Sequence, residues 1–157
     1  MNDYKITLGD NYHQLSIGKL LASTDDEFVR IYHAQVRPIS EPIIKRDKKI
    51  AIQVDCDSLK IRETDLKQAF HSRKLPIGGV ELYKPVTTIT RYDAEQEKTK
   101  KSSSLVYEMI SDYFRGIYAS LITLENGKLL VNNLSDKERT GYIQSGIDFQ
   151  LTDFALD

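Results

Sequence analysis

The chain has 157 residues, of which 40% are hydrophobic and 29% are charged. This composition is that of an ordinary globular protein and excludes a disordered chain. The 22 basic and 23 acidic residues give a net charge of -1, so there is no overall attraction to nucleic acid or to an anionic membrane. We therefore expect one domain spanning residues 1–157, in which any charged partner binds a local patch.

Cysteine content and hydropathy constrain the compartment. Cys56 is the only cysteine, which excludes an internal disulfide and fits a reducing environment. No apolar run approaches the roughly 18 residues of a membrane span. Residues 1–8 alternate polar and apolar side chains and lack an apolar signal core. We expect a soluble, cytoplasmic protein that makes no membrane contact.

The N-terminal third contains both strand and helix signals. Residues 4–8 alternate polar and apolar side chains, which predicts a strand, and residues 15–17 predict a second strand that completes a hairpin. Thr24 and Glu27 fit a helix capping box. The apolar residues of 28–35 fit both helical spacing and strand alternation, and the capping box favours the helix.

The middle of the chain is rich in strand signals. Residues 50–56 alternate most clearly, with Cys56 on the same side as three apolar residues. A short helix is predicted at residues 66–70. Residues 80–92 are again β-rich, and Pro85 marks an edge or a break between two strands because proline cannot donate to a ladder.

The strongest helical pattern lies in residues 104–124. Eight apolar side chains recur there at about 100° per residue, and Gly127 could end the helix in the left-handed conformation. A competing hairpin would use Asn126 and Gly127 as its two-residue turn. The unbroken apolar arc favours the helix over the hairpin.

Short strands at residues 129–131 and 147–152 complete the pattern. Several alternating strands, two or three helices and no regular βαβ rhythm predict an α+β fold. In this fold a largely antiparallel sheet packs against one long helix in the C-terminal half, together with one or two shorter helices.

Two groups of residues have the chemistry of a catalytic or metal site. Cys56 could pair with a histidine as nucleophile and base, but its apolar strand face predicts a buried, unreactive thiol. Asp55 and Asp57 point to the same side of that strand and could hold a cation, although too few oxygen ligands accompany them. We therefore predict no catalytic residue, metal ligand or cofactor, while a site assembled from residues distant in sequence stays open.

Basic residues cluster in the predicted loops. The candidate nucleic-acid contacts are Lys45, Arg46, Lys48, Lys49, Lys98, Lys100 and Lys101. If these loops meet on one side, they would form a phosphate-binding surface, and Tyr83 or Tyr92 could stack on bases. Lysine in loops also serves solubility alone, so the same pattern fits a protein that binds no nucleic acid.

Gly116 and Ser120 lie one turn apart on the apolar arc of the predicted long helix. Glycine within a helix costs about 1 kcal/mol relative to alanine, and small residues on a buried face let another backbone approach. That backbone belongs either to the chain's own sheet or to a second subunit, which makes the pair a candidate helix-mediated interface.

Three functional hypotheses follow from these patterns. The leading hypothesis is a non-catalytic binding or adaptor protein that acts through a surface, with a protein partner or a second copy as its target. The second is a nucleic-acid-associated accessory protein that uses the lysine-rich loops. The third is an enzyme whose site has no recognisable motif, and the sequence favours it least.

Overall fold

A computed structural model describes residues 4–47, 50–65, 68, 71–92, 107–109, 111–134 and 139–156. Of these residues 72% lie in strands and 10% are helical, and all eight strands belong to one sheet. The strands are β1 (Tyr4–Thr7), β2 (His13–Ser23), β3 (Phe28–Pro38), β4 (Ile50–Arg62), β5 (Lys74–Tyr83), β6 (Val86–Arg91), β7 (Gly116–Leu134) and β8 (Arg139–Leu156). One helix, α1 (Glu41–Asp47), lies between β3 and β4.

The strands β1 to β4 follow chain order across the sheet and are antiparallel. β5 pairs with the C-terminal half of β4 and β6 with its N-terminal half, so the two act as one long strand broken at Lys84 and Pro85. The break at Pro85 confirms the sequence prediction. β7 runs parallel to both β5 and β6, and β8 pairs antiparallel with β7.

The predicted α+β fold with one long helix is wrong. Residues 116–134 form β7, the longest strand, while only residues 107–109 of the predicted helix are helical. Residues 104–106 and 110 lie outside the described part of the chain. Residues 117–124 of β7 carry apolar side chains at both odd and even positions, so apolar residues occur on both strand faces and the run also fits helical spacing. The competing hairpin is equally wrong, because β7 continues through Asn126 and Gly127.

The N-terminal helix is also wrong. Residues 28–38 form β3, because β2 and β4 both supply ladder partners and the alternating pattern is satisfied on each side. Helix α1 falls instead where a lysine-bearing loop was expected. The predicted strands at 15–17, 50–56, 129–131 and 147–152 are confirmed within longer strands. The strand predicted at 4–8 is confirmed over residues 4–7, and the β-rich residues 80–92 divide between β5 and β6. Of the short helix at 66–70, only Gln68 is described, and it is helical.

Residues with positive φ lie at two fixed levels across the sheet. The first level contains His33 (54°), Lys84 (49°), Asn126 (52°) and Gly146 (65°), and the second contains Glu27 (49°), Glu63 (54°) and Asp153 (54°). At the first level the pairing of β3 with β4 skips from Tyr32–Ser58 to Ala34–Cys56. A left-handed residue interrupts the ladder and bends its strand. Because neighbouring strands bend at the same level, the pairing register between strands is the same before and after each bend.

Helix α1 and the segment that precedes β7 cover parts of the sheet. Ile44 of α1 is 0% exposed and Ala51 of β4 is 1% exposed, so α1 packs on β4. The Gly9 N–H donates to the Met109 carbonyl at 2.8 Å. A Cβ at Gly9 would lie 2.8 Å from the Glu108 carbonyl oxygen, so this approach requires glycine.

Candidate functional site: an apolar face of the sheet

Two ladders of apolar side chains cross six strands between the two bends. The first, row one, comprises Leu20, Ile31, Leu59, Leu82, Leu124 and Phe149, each directly opposite the next. The second, row two, comprises Ala22, Val29, Ile61, Val80, Ile122 and Leu151. Members of the two rows are two residues apart on each strand, so all twelve lie on one face. We call this surface the apolar face.

None of the twelve side chains of the apolar face is buried. The eight central members are half-buried, and the outermost ones are exposed, including Leu20 at 49%, Phe149 at 46% and Leu151 at 42%. Scattered exposed apolar residues are normal, but contiguous apolar patches mark interaction surfaces. The two rows have no gap across the six strands, so their twelve side chains form one contiguous apolar patch.

The opposite face of the same segment is polar. Its side chains line a groove of about 290 Å³, to which Arg30, Tyr32, Lys60, Glu81, Tyr83 and Glu125 contribute. Arg62 and Glu81 form an ion pair at 2.6 Å, and Arg30 donates to the Tyr32 hydroxyl at 3.2 Å. The segment is therefore amphipathic across β3, β4, β5, β7 and β8, and the polar face contacts water. The polar face is well solvated. Covering the apolar face with a partner would remove apolar surface from water and so stabilise the complex.

A buried aspartate–histidine pair lies at the start of β2. His13 Nδ1 is 2.6 Å from Asp10 Oδ2, and the two side chains are 5% and 6% exposed. The Ile52 N–H donates to His13 Nε2 at 3.3 Å, so Nδ1 carries the proton that the carboxylate accepts. Burial alone would raise the pKa of Asp10, but hydrogen bonds from His13 and from the Tyr12 N–H hold that pKa below its ordinary value of 3.8.

Both ring nitrogens of His13 are engaged, so neither is available to a substrate. Pro38 pairs with His13 in the ladder, and the His13 imidazole accepts the Ile52 N–H of β4. The pair therefore holds the end of β2 to β4 and acts as a structural element.

Cys56 is buried at 6% exposure, which confirms the sequence prediction. Burial raises the pKa of its thiol. The thiol donates to the Ser58 carbonyl at 3.1 Å and lies 3.6 Å from the Tyr83 carbonyl, so its partners are backbone oxygens. That the thiol is chemically unreactive stays a prediction.

The paired carboxylates of β4 have separate environments. Asp55 accepts two hydrogen bonds from Arg37 Nη2, at 2.6 and 2.7 Å, while Asp57 is exposed. Within the described part of the chain, no three His, Cys, Asp or Glu side chains lie close enough together to hold a metal ion.

The basic residues predicted to contact nucleic acid are only partly described. Lys45 and Arg46 lie on α1, whereas Lys48, Lys49, Lys98, Lys100 and Lys101 lie outside the described residues. Arg46 pairs with Asp47 at 2.6 Å. Lys45 Nζ lies 5.8 Å from the Tyr92 ring centroid, which brings one predicted lysine beside one predicted stacking aromatic.

Gly116 and Ser120 are on β7, so the helix-mediated interface they were predicted to form is wrong. Gly116 is buried, and a Cβ there would lie 3.0 Å from the Tyr118 ring and 3.3 Å from the Leu156 carbonyl. Ser120 is exposed and borders a second cavity, of about 520 Å³, at the second bend. The close backbone approach at Gly116 comes from the chain's own β8.

Sequence reasoning missed the apolar face although its signal is local. Five of the six segments read apolar–polar–apolar: Val29-Arg30-Ile31, Leu59-Lys60-Ile61, Val80-Glu81-Leu82, Ile122-Thr123-Leu124 and Phe149-Gln150-Leu151. The sixth has Leu21 at its centre. Each triplet taken alone fits a strand or one side of a helix. Only their recurrence in six places indicates one amphipathic sheet.

Comparison with known proteins gives no further guidance, because no protein-family model and no curated protein matches this chain. None of the described helices is long and apolar enough to cross a membrane. The functional argument therefore depends on the geometry of the sheet.

Proposed function

We propose that this protein is a non-catalytic binding protein whose partner covers the apolar face. The observation that carries the proposal is the pair of apolar rows, in which no side chain is buried although the rows cross six strands. Burial is worth about 25 cal/mol for each Å² of apolar surface removed from water. A partner with an apolar surface of matching width gains that free energy without further folding of this chain.

The chemistry of the described titratable groups supports binding over catalysis. His13 and Asp10 hold each other and the backbone of β4, Asp55 holds Arg37, and Cys56 contacts carbonyl oxygens. Each of these groups has a structural partner. The apolar face, in contrast, has the composition of an interface core and lacks a partner among the described strands.

A matched pair of substitutions tests the proposal. Ile122 and Thr123 are adjacent on β7, are both half-buried and point to opposite faces. The full chain serves as bait in an extract of the cells that produce it. Ile122→Lys should remove the captured proteins, because the ammonium would be desolvated against an apolar partner. Thr123→Lys places the same group on the polar face and should retain them.

The folded state of both variants is checked by circular dichroism and by urea unfolding. Equal capture by Ile122→Lys and Thr123→Lys, with both variants folded, would place the binding surface elsewhere and reject the proposal.

A second candidate function is contact with nucleic acid, and one observation favours it. The Lys45 ammonium lies over the Tyr92 ring, so a cation and a stacking surface from different parts of the chain are adjacent. Binding of single-stranded DNA should then weaken steeply with salt, and Lys45→Ala should flatten that dependence. Absence of binding at low salt would exclude this candidate.

A further inference from the structure

Strand β8 has a long edge that lacks lysine and proline. Among the described residues it pairs with β7 alone, so about half of its backbone N–H and C=O groups point away from the sheet. It is 18 residues long, and every residue from 140 to 153 except Ile147 is exposed. Edges are shielded by charged side chains, above all lysine, by proline, by bulges or by short length. The two bends of β8, at Gly146 and Asp153, leave residues 147–152 between them uninterrupted. Residues 140–156 contain neither lysine nor proline.

The opposite edge of the sheet shows that protection. β1 is only four residues long and carries an exposed lysine, Lys5. Where β2 extends beyond β1 it carries the exposed Lys19, whose ammonium lies 5.9 Å from the Tyr32 ring centroid. The two edges therefore differ in chemistry, and only β8 is suited to strand addition.

We propose that β8 pairs antiparallel with β8 of a second copy, around a twofold axis that passes through Gln150. In this register Phe149 of each copy faces Leu151 of the other, and Asp148 faces Thr152. The inference rests on the proposed function and deepens it, because the second copy doubles the width of the apolar face that the partner would cover.

The apolar rows favour this register. Phe149 ends row one and Leu151 ends row two at the edge of the sheet. The twofold axis exchanges them, so row one of each copy continues into row two of the other, and the apolar face extends across both sheets. An axis through Phe149 would instead place Leu151 opposite Ile147, which belongs to neither row.

Charge and backbone geometry agree with the same register. Asp148 faces Thr152 and Asp153 faces Ile147, so no two carboxylates lie directly opposite each other, which would be destabilising. Positive φ at Gly146 and at Asp153 bends β8 on either side of residues 147–152. The axis at Gln150 lies within this straight segment, where an uninterrupted ladder can form.

The association closes at two copies. An isologous pairing uses the same edge of both subunits, so each edge is consumed and no further copy can add there. The alternative pairing, of β8 with the edge of β2, would be head-to-tail and would produce an open chain of copies. The proposal therefore predicts a defined mass.

Disulfide trapping tests the register. In a Cys56→Ala background, Gln150→Cys places two thiols on directly opposite residues, at the Cα separation of about 4.5–5.5 Å that a disulfide accepts. Mild oxidation should yield a covalent dimer on a non-reducing gel. Gln144→Cys is the matched control, since the two copies of this exposed residue would lie roughly 40 Å apart at 3.4 Å per residue. It should remain monomeric on the same gel.

Light scattering on the unmodified chain tests the association itself. The expected mass is twice the 18.0 kDa of one chain, and Gln150→Lys should halve it, because two ammonium groups would face each other. A monomeric mass for the unmodified chain, a mass that grows beyond two copies, or equal crosslinking of the Gln150→Cys and Gln144→Cys variants would each overturn the inference. The comparison of Ile122→Lys with Thr123→Lys in capture is independent of these results, so the proposed function can survive a failure of the dimer.

Discussion

The contacts of single residues show why a buried aspartate–histidine pair can be structural. Asp10 accepts hydrogen bonds from His13 Nδ1 and from the backbone N–H groups of Tyr12 and His13, at 2.6, 3.0 and 3.1 Å. The carboxylate thus closes the turn before β2 and orients the imidazole that bonds β4. A catalytic dyad would leave Nε2 exposed, whereas here the Ile52 N–H occupies it.

Replacing Asp10 tests this interpretation. Asp10→Asn should lower the free energy of unfolding by about 1–3 kcal/mol, because it removes a charged acceptor from buried donors. The pKa of Asp10 is lowered in the fold, so its carboxylate contributes stability above the ordinary value of 3.8. That contribution is lost as the pH falls through the lower folded pKa. Urea unfolding at pH 7 and near pH 3 should therefore show a smaller loss for Asp10→Asn than for the unmodified chain.

The exposed Asp57 supplies the control for this measurement. Asp57→Asn should change the free energy of unfolding by less than about 0.5 kcal/mol at pH 7. If both aspartates behaved alike, the pair of Asp10 and His13 would not hold β2 to β4.

At the scale of elements, helix α1 stabilises the fold through the one side that packs on β4. Ile44 is fully buried, while its neighbour Ile43 is 45% exposed. Ile44→Ala should cost about 2–5 kcal/mol, from lost transfer free energy and the cavity left against β4. Ile43→Ala removes the same atoms from a solvated position and should cost far less. Chemical denaturation measures both, and a similar cost for the two would show that α1 packs differently.

Sequence patterns correctly predicted strands in which polar and apolar residues alternate. They failed where the apolar residues fit both a strand and the 3.6-residue period of a helix. Residues 50–56 have polar residues between apolar ones, and the strand there was predicted correctly. Residues 116–124 carry apolar side chains on both strand faces, and such a run fits a 3.6-residue period as well as a central strand. No local signal separates the two readings, because the deciding contacts come from β5 and β8, which are distant in sequence.

The dependence on contacts distant in sequence also explains which functional residues could be predicted and which could not. Burial of Cys56 followed from its position in one strand, and this local inference was confirmed. The apolar face requires six strands to be aligned in register, which single triplets do not specify. The bends at Lys84, Glu27 and Glu63 were likewise invisible, since positive φ is uncommon for lysine and glutamate. Asparagine favours positive φ, but the sequence pattern predicts a hairpin turn or a helix end at Asn126 and not the interior of a strand.

At the scale of the whole molecule, the sheet separates a polar and an apolar face between its bends. A sheet of this kind usually packs its apolar face against a second layer. Here none of the buried apolar side chains belongs to the two apolar rows; they include Ile44 of α1, Met109 before β7 and Ile77 of β5. The native protein therefore presents apolar surface that other folded proteins place inside.

The hydrophobic dye ANS tests this property on the intact molecule. ANS fluorescence normally marks molten globules, but the native protein should bind the dye at pH 7 while retaining near-ultraviolet circular dichroism from its nine tyrosines. Ile122→Lys should reduce the fluorescence several-fold, because it places a charge in the middle of row two, whereas Thr123→Lys should leave it unchanged. The proposed dimer extends the apolar face at its edge without covering it, so the signal should persist at concentrations where the mass has doubled. Native protein that leaves the dye dark would mean that the rows are covered in solution, and the proposed binding surface would then be wrong.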